Sequence, residues 1–204
     1  MDDFSHWASD IQAIAQIGLA YTKDIYDKER YEQLMAIASQ MLARLSDMSS
    51  DEVLRLLIDE VGYATPKLDV RVVILDELGR ILLVREEQDG LWSLPGGWAD
   101  VNQSPKECAI KEVHEETGLQ VSIKRLLALW DKLKHSHPPH WPHTYKCFFW
   151  GEITGGKISP NHEIIEIDYF RINELPSLSL HRVVPEQILR LIELITKGEK
   201  TSFD

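Results

Sequence analysis

Three glutamates, Glu112, Glu115 and Glu116, stand in the i, i+3, i+4 relation inside a segment whose two ends are both marked. Ser104 has the chemistry of an N-cap, Pro105 suits the first helical position, and Glu107 completes a Ser-x-x-Glu capping box. Gly118 supplies the left-handed residue that stops the helix. At about 100° per residue the three carboxylates fan over about a quarter of the helix circumference. Like charges so placed cost a helix about 0.2–0.5 kcal/mol per pair. A hard cation such as Mg2+ or Mn2+, which takes oxygen ligands, is the natural compensator. The same spacing also fits a solvated acidic face.

The residues around these carboxylates carry a resemblance. The pattern Gly-x5-Glu-x7-Arg-Glu-U-x-Glu-Glu-x-Gly-U, with U apolar, is matched at Gly97, Glu112, Val113, Glu115, Glu116, Gly118 and Leu119. The chain therefore resembles the Nudix hydrolases from near Lys67 onward. Two positions depart from the pattern, Gln103 standing for Glu and Lys111 for Arg. In the family those residues pair and brace the loop against the helix, which implies a Gln103–Lys111 hydrogen bond here. The resemblance implies a mixed-sheet α/β/α sandwich. It also implies that Glu112 and Glu116, with the carbonyl of Gly96, hold one divalent ion, Mg2+ or Mn2+. Glu115 would help hold a second ion or accept a proton from the attacking water. A further carboxylate is expected from the segment Glu163-Ile164-Ile165-Glu166, with Glu163 favoured over Glu166, though both also fit plain exposed charges beside a strand.

A narrower likeness is to a Nudix subgroup in which a helical domain precedes the catalytic one, including CDP-choline and ADP-ribose pyrophosphatases. It is carried by Asp24–Glu32, Gly97–Val101, Trp130-Asp131-Lys132 and His135–Pro139. The activity implied is metal-dependent hydrolysis of a nucleoside diphosphate linked to a small group, giving a nucleoside monophosphate and the phosphorylated group. Action on RNA ends and a non-catalytic nucleotide-binding role are the alternatives. The net charge of −11 and the absence of a basic stripe disfavour nucleic acid, and retention of all three carboxylates disfavours the second.

The elements that must position these groups follow from periodicity. Residues 1–64 read as a small all-α N-terminal domain, and 65–204 as the α/β catalytic domain. One apolar stripe is expected at Trp7, Ile11, Ile14, Gly18 and Tyr21, and another at Tyr31, Leu34, Met35, Ala38, Met41, Leu42 and Leu45. A third helix has a capping box at Ser49 and Glu52, the apolar face Leu54, Leu57, Ile58 and Val61, and Gly62 as its stop. Some 60 residues form a marginal core alone, so these stripes predict a homodimer joined through this segment. Beyond Pro66 the pattern changes. Leu68–Leu75 and Ile81–Arg85 flank the turn Asp76–Gly79 and read as a β-hairpin. Further strands are expected over 124–131, 144–153 and 166–171, with a turn at Thr154-Gly155-Gly156 and a closing helix over 185–196.

Between two of these strands lies a loop, Lys132–His143, holding four of the eight histidines. Neither cysteine falls in it, so a closed zinc site is disfavoured. A substrate-facing loop fits better, with Lys132, Lys134, His135 and His137 meeting phosphate oxygens and Trp141 stacking on a base or sugar; an ordinary surface loop fits too. Arg71 and Arg85 are further candidate phosphate contacts, or else solvent-facing strand positions. The two cysteines, Cys108 and Cys147, lie in apolar runs and read as free buried thiols. No signal peptide or membrane span is read from the sequence, which makes a cytoplasmic location the expectation.

Overall fold

The computed structural model describes residues 3–46 and 48–204; Met1, Asp2 and Asp47, which fall in the expected helical stretch, lie outside the described residues. The chain forms two compact units. One comprises the residues up to Pro66 with Pro139–His143, the other Lys67–Pro138 with Thr144–Asp204.

The first unit holds helices α1 (Asp3–Tyr21), α2 (Ile25–Ala43) and α3 (Ser50–Asp59). Asp24 caps α2 by accepting from the N–H groups of Tyr26 and Asp27. At the start of α3 the Ser49–Glu52 box is closed in both directions. Ala8, Ala15, Met35, Leu42, Val53 and Leu57 form the core, and Trp141 packs against it. The stripe expected on α1 is therefore corrected. Trp7, Ile14 and Tyr21 are 59%, 55% and 66% exposed, while Ser5, Ala8, Gln12, Ala15 and Gln16 face inward. Ser5, Ala8 and Ala15 leave room on the inner face, where Gln12 donates to Gln16, and α1 and α2 approach closely: a Cβ on Gly18 would stand 2.3 Å from the Tyr31 ring. On α2 the expected Met35, Ala38 and Leu42 are buried; on α3 Leu57 is buried and Ile58 exposed, and Val61, also exposed, lies beyond the end of the helix at Asp59.

The second unit runs β1 (Lys67–Ile74), β2 (Ile81–Glu86), β3 (Trp92–Ser93), α4 (Pro105–Thr117), β4 (Leu119–Asp131), a single 3-10 turn (Lys132–Lys134), β5 (Thr144–Gly156), β6 (Ile164–Phe170), α5 (Pro185–Thr196) and β7 (Ser202–Phe203). One sheet has the order β1-β5-β4-β7, and the other β3-β2-β6. The first is mixed: β1 runs parallel to β5, β4 antiparallel to β5, and β7 parallel to β4. The expected β1–β2 hairpin is not formed. The turn is present, with Asp76 Oδ1 accepting from Leu78 and Arg80, but the strands share one isolated bridge, Leu75–Ile81, and then diverge into different sheets. Their runs Val70–Ile74 and Ile81–Val84 are buried throughout, the pattern of strands covered on both faces and free to be interior to separate sheets. A second correction concerns Gly155 and Gly156, which stay in the ladder opposite Gln120 and Leu119 instead of turning. Gly156 has φ +88°, and a Cβ there would meet the Gly118 carbonyl at 2.4 Å, so the glycine answers a close backbone approach.

Alternate residues of β1 feed two cores. Val73 joins Leu83, Leu127, Phe148 and the α5 residues Ile188, Leu191 and Leu194. Val70 and Val72 join Val121, Phe149 and the α4 residues Cys108, Ala109 and Val113. Helices thus cover both faces of a mixed sheet, giving the α/β/α sandwich. Burying each of Ile188, Leu191 and Leu194 contributes about 1.5–3 kcal/mol, and a charge at Leu191 would detach α5. Cys108 and Cys147 are buried and free. Among the described residues no helix is long and apolar enough to cross a membrane.

Candidate active site

Helix α4 is held at both ends before any side chain of the site is considered. Ser104 Oγ accepts from the Glu107 N–H, and Glu107 returns the bond to the Ser104 N–H at 2.8 Å. At the other end Gly118 sits at φ +71°, where a Cβ would stand 2.5 Å from the Lys157 carbonyl. Cys108, Ala109, Val113 and Thr117 bury the inner face, and this phase turns Glu116 inward and leaves Glu115 facing solvent.

The loop Leu94–Gly97 meets that inner face. It is stitched to β1 where Val72 N–H donates to the Pro95 carbonyl at 2.9 Å and Val70 N–H to Gly97 at 2.8 Å. Gly96 takes φ +139°, and its missing Cβ would stand 2.0 Å from the Val70 carbonyl, so only glycine fits. Its N–H donates to Glu116 Oε2 at 2.9 Å. A Cβ on Gly97 would lie 2.7 Å from Glu112 Oε2. The paired glycines thus admit Glu112 and Glu116, one turn apart, to the same stretch of backbone. Burial pushes the Glu116 carboxyl up to about 8, with Arg71 and the Gly96 N–H opposing. Burial also raises Glu112, again with Arg71 opposing. Two carboxylates strained towards protonation by desolvation are a fit for a divalent cation. Among the described residues no group of three or more His, Cys, Asp or Glu side chains is placed to hold a metal ion. Mg2+ is characteristically held by one or two carboxylates with waters and substrate oxygens, which is the donor set on offer.

The brace between loop and helix is a different pair from the one expected. Lys111 Nζ lies 2.6 Å from Asp100 Oδ2 and 3.7 Å from Glu115, whereas Gln103 turns its amide oxygen towards Cys108 Sγ. Asp100, three residues before Gln103 in the same loop, takes the place of the missing acid. Arg71 is engaged within the fold. It is buried and donates to Asp69, to Ser93 Oγ and to the Leu94 carbonyl, so it props the loop from beneath. Arg85 is likewise engaged, donating to the Gly90 carbonyl at 2.8 Å and to Glu166 at 3.3 Å. Glu163 is exposed at the entry to β6, where its carbonyl accepts from Glu87 N–H and its carboxylate lies beside His162. No interaction joins it to the α4 carboxylates among the described residues.

Of the loop candidates, Lys134 is exposed, His135 packs against Trp130 and lies 3.5 Å from Asp204, and His137 Nδ1 contacts the Leu180 carbonyl at 2.6 Å. Burial lowers His137 to about 4, fixing it as neutral. Lys132 is buried. Around it lies a charge cluster the sequence reading passed over. Lys146 Nζ meets Asp69 at 2.6 Å, Arg71 meets the same carboxylate at 3.0 Å, and Arg182 meets Glu86 at 3.0 Å and Asp89 at 2.9 Å. Burial opposes ionisation of Asp69, but Arg71 and Lys146 outweigh it and hold the carboxyl at about 2. A signal was available: Asp69 and Lys146 are charged residues set beside the apolar runs Val72–Ile74 and Cys147–Trp150 of their strands.

Comparison with known proteins gives two family matches. Residues 2–57 match the family described as a UDP-X-like, N-terminal oligomerisation domain, and residues 65–192 match the NUDIX domain. Bacillus subtilis (strain 168) YjhB, whose name assigns it provisionally as an ADP-ribose pyrophosphatase, is 43% identical over 198 residues, covering 97% of this chain and 95% of its own. The crystal structure of a UDP-X diphosphatase aligns with TM-score 0.64 at 37% identity, covering 98% of this chain and 97% of the other. That of an ADP-ribose pyrophosphatase from Streptococcus suis 89-1591 aligns with TM-score 0.61 at 42% identity, covering 69% of this chain and all (100%) of the other.

Proposed function

The chain belongs to the Nudix family of hydrolases, and we propose that it is a metal-dependent pyrophosphohydrolase cleaving nucleoside diphosphates linked to a second group. The products are a nucleoside monophosphate and the phosphorylated second group. The observation that carries this reading is the placement of Glu112 and Glu116 against Gly96 and Gly97. Glu112 and Glu116 would hold a divalent ion there, which would supply charge neutralisation for the diphosphate and a water of lowered pKa. The water oxygen adds to one phosphorus, the bridging P–O bond breaks, and the bridging oxygen leaves on the other phosphate. The Gly96 N–H orients Glu116, Arg71 fixes the Leu94 carbonyl and thereby the loop, and Glu115, beside Lys111, is the candidate to take the water's proton. Glu163 remains a candidate only if its segment moves towards α4. ADP-ribose and UDP-linked compounds head the candidate substrates because the similar proteins are named for them, and CDP-choline follows from the narrower resemblance. The unit formed by α1–α3 would join two copies, in keeping with its family match.

The test compares kcat/KM for ADP-ribose, a UDP-sugar, CDP-choline, a dinucleotide cofactor and a short 5′-triphosphorylated RNA, in Mg2+ and in Mn2+. One of the nucleoside diphosphate-linked compounds is expected to exceed RNA by at least about tenfold. A preference for RNA, or no turnover of the four small compounds, would overturn the reading.

A further inference from the structure

A buried lysine is tolerated in a fold when an acceptor takes its protons, and Lys132 has none. Its side chain belongs to a residue only 6% exposed, and among the described residues no acceptor stands within hydrogen-bond reach of Nζ. The charged groups facing it are Asp69 and Arg71 from β1, Lys146 from β5 and Arg182 from the segment before α5. His137 and His181 face it as well. Every carboxylate of this neighbourhood is already engaged, Asp69 by Arg71 and Lys146, Glu86 and Asp89 by Arg182. Lys132 is the cation left over. A buried polar atom of the same neighbourhood is also without a partner. With its Nδ1 directed at the Leu180 carbonyl, neutral His137 presents Nε2 as an acceptor, and Nε2 is buried without a partner. Arg71 links this cluster to the α4 carboxylates, since its charge acts on Lys132 and on both Glu112 and Glu116.

We propose that Lys132 and His137 form an anion subsite, separate from the Glu112–Glu116 face, for the phosphoryl group of the substrate that lies away from that face. Lys132 Nζ donates to a phosphoryl oxygen, and His137 Nε2 accepts from a neighbouring sugar hydroxyl. The proposal rests on the nucleoside diphosphate-linked reading above, and adds which group of such a substrate is recognised and by what. A structural lysine would be paired; one kept unpaired in a buried position is a stability cost retained for binding.

Titration calorimetry of the full-length protein with ribose 5-phosphate, in the absence of divalent metal, tests it directly. Wild type is expected to bind. Lys132→Met, which keeps the apolar stem, should weaken binding at least tenfold, Lys132→Arg should restore part of it, and Glu112→Gln should leave it unchanged. Lys132→Met is also expected to melt at or above the wild-type temperature, an outcome a merely structural lysine would not give. Absence of wild-type binding, equal binding by Lys132→Met, or loss of binding in Glu112→Gln would overturn the subsite. With metal and substrate, Lys132→Met should raise KM more than it lowers kcat. Lys132-dependent binding of ribose 5-phosphate without turnover of any nucleoside diphosphate-linked compound would uphold the subsite and defeat the functional reading. Turnover with KM and kcat untouched by Lys132→Met would do the reverse.

Discussion

Glu112 and Glu116 share a helix with Glu107 and Glu115, yet only the first two are drawn against the double glycine. Glu107 is spent on the cap and Glu115 faces solvent beside Lys111. Glu112→Gln and Glu116→Gln are expected to lower kcat by about 10²–10³, the usual cost of removing one electrostatic group from an active site. Glu107→Gln keeps an acceptor for the Ser104 N–H and is expected to retain activity. Steady-state kinetics with circular dichroism as a fold check would expose the opposite ranking. Lys132 offers a second residue-scale test, through pH. Burial, with Lys146 next, lowers its ammonium from 10.5 to about 7. Between these values the unfolded chain binds the proton and the folded one does not, so this group makes stability rise with pH across that interval. The stability advantage expected of Lys132→Met should therefore be largest below about pH 7 and fade towards about pH 10.5. Melting temperatures over that range check it, and an advantage growing with pH would contradict it. The carboxylate spacing was legible in the sequence because helical phase is local. The partners of Arg71 and Lys111 were not, since Asp69, Ser93 and Asp100 are fixed by register and loop path.

At the scale of elements, caps and helices were readable and strand pairing was not. The Ser104–Glu107 and Ser49–Glu52 boxes, the Gly118 stop and α5 at Pro185–Thr196 all stand where residue types placed them. The apparent hairpin at Asp76–Gly79 failed because turn chemistry dictates a reversal of direction, whereas pairing depends on which distant strand arrives alongside; β5 took β1 and β6 took β2. Two element-scale outcomes follow. The Asp100–Lys111 pair ties loop to helix with both side chains about half exposed, so a double-mutant cycle with Asp100→Ser and Lys111→Met should give a small favourable stability coupling in denaturant melts, weakened by salt. A cycle between Gln103 and Lys111 should give none. Gly18→Ala forces the Tyr31 ring to move at the α1–α2 crossing and is expected to cost about 1–3 kcal/mol by the same assay. A neutral Gly18→Ala would mean the crossing is looser than described.

At the scale of the whole molecule, the phase of α1 was misread because both of its faces carry apolar residues, and bulk alone does not say which face looks inward. The consequence is informative. Trp7, Ile14 and Tyr21 recur every seven residues and form one exposed stripe, the feature an association surface requires. Light scattering of the full-length protein is expected to report a dimer at micromolar concentration, and Trp7→Glu with Ile14→Glu a monomer with its helical content intact. An unchanged oligomeric state in that variant would remove the stripe from the interface. The central claim, however, is the reaction. The most direct measurement is 31P NMR of ADP-ribose, a UDP-sugar and CDP-choline incubated with the protein in Mg2+, with a parallel sample in excess EDTA. For at least one compound the two diphosphate resonances should decay into two phosphomonoester resonances, one from the nucleoside monophosphate and one from the phosphorylated second group, and EDTA should abolish the change. Diphosphate signals that persist with every compound in Mg2+ and Mn2+, or that decay equally in EDTA, would contradict the account.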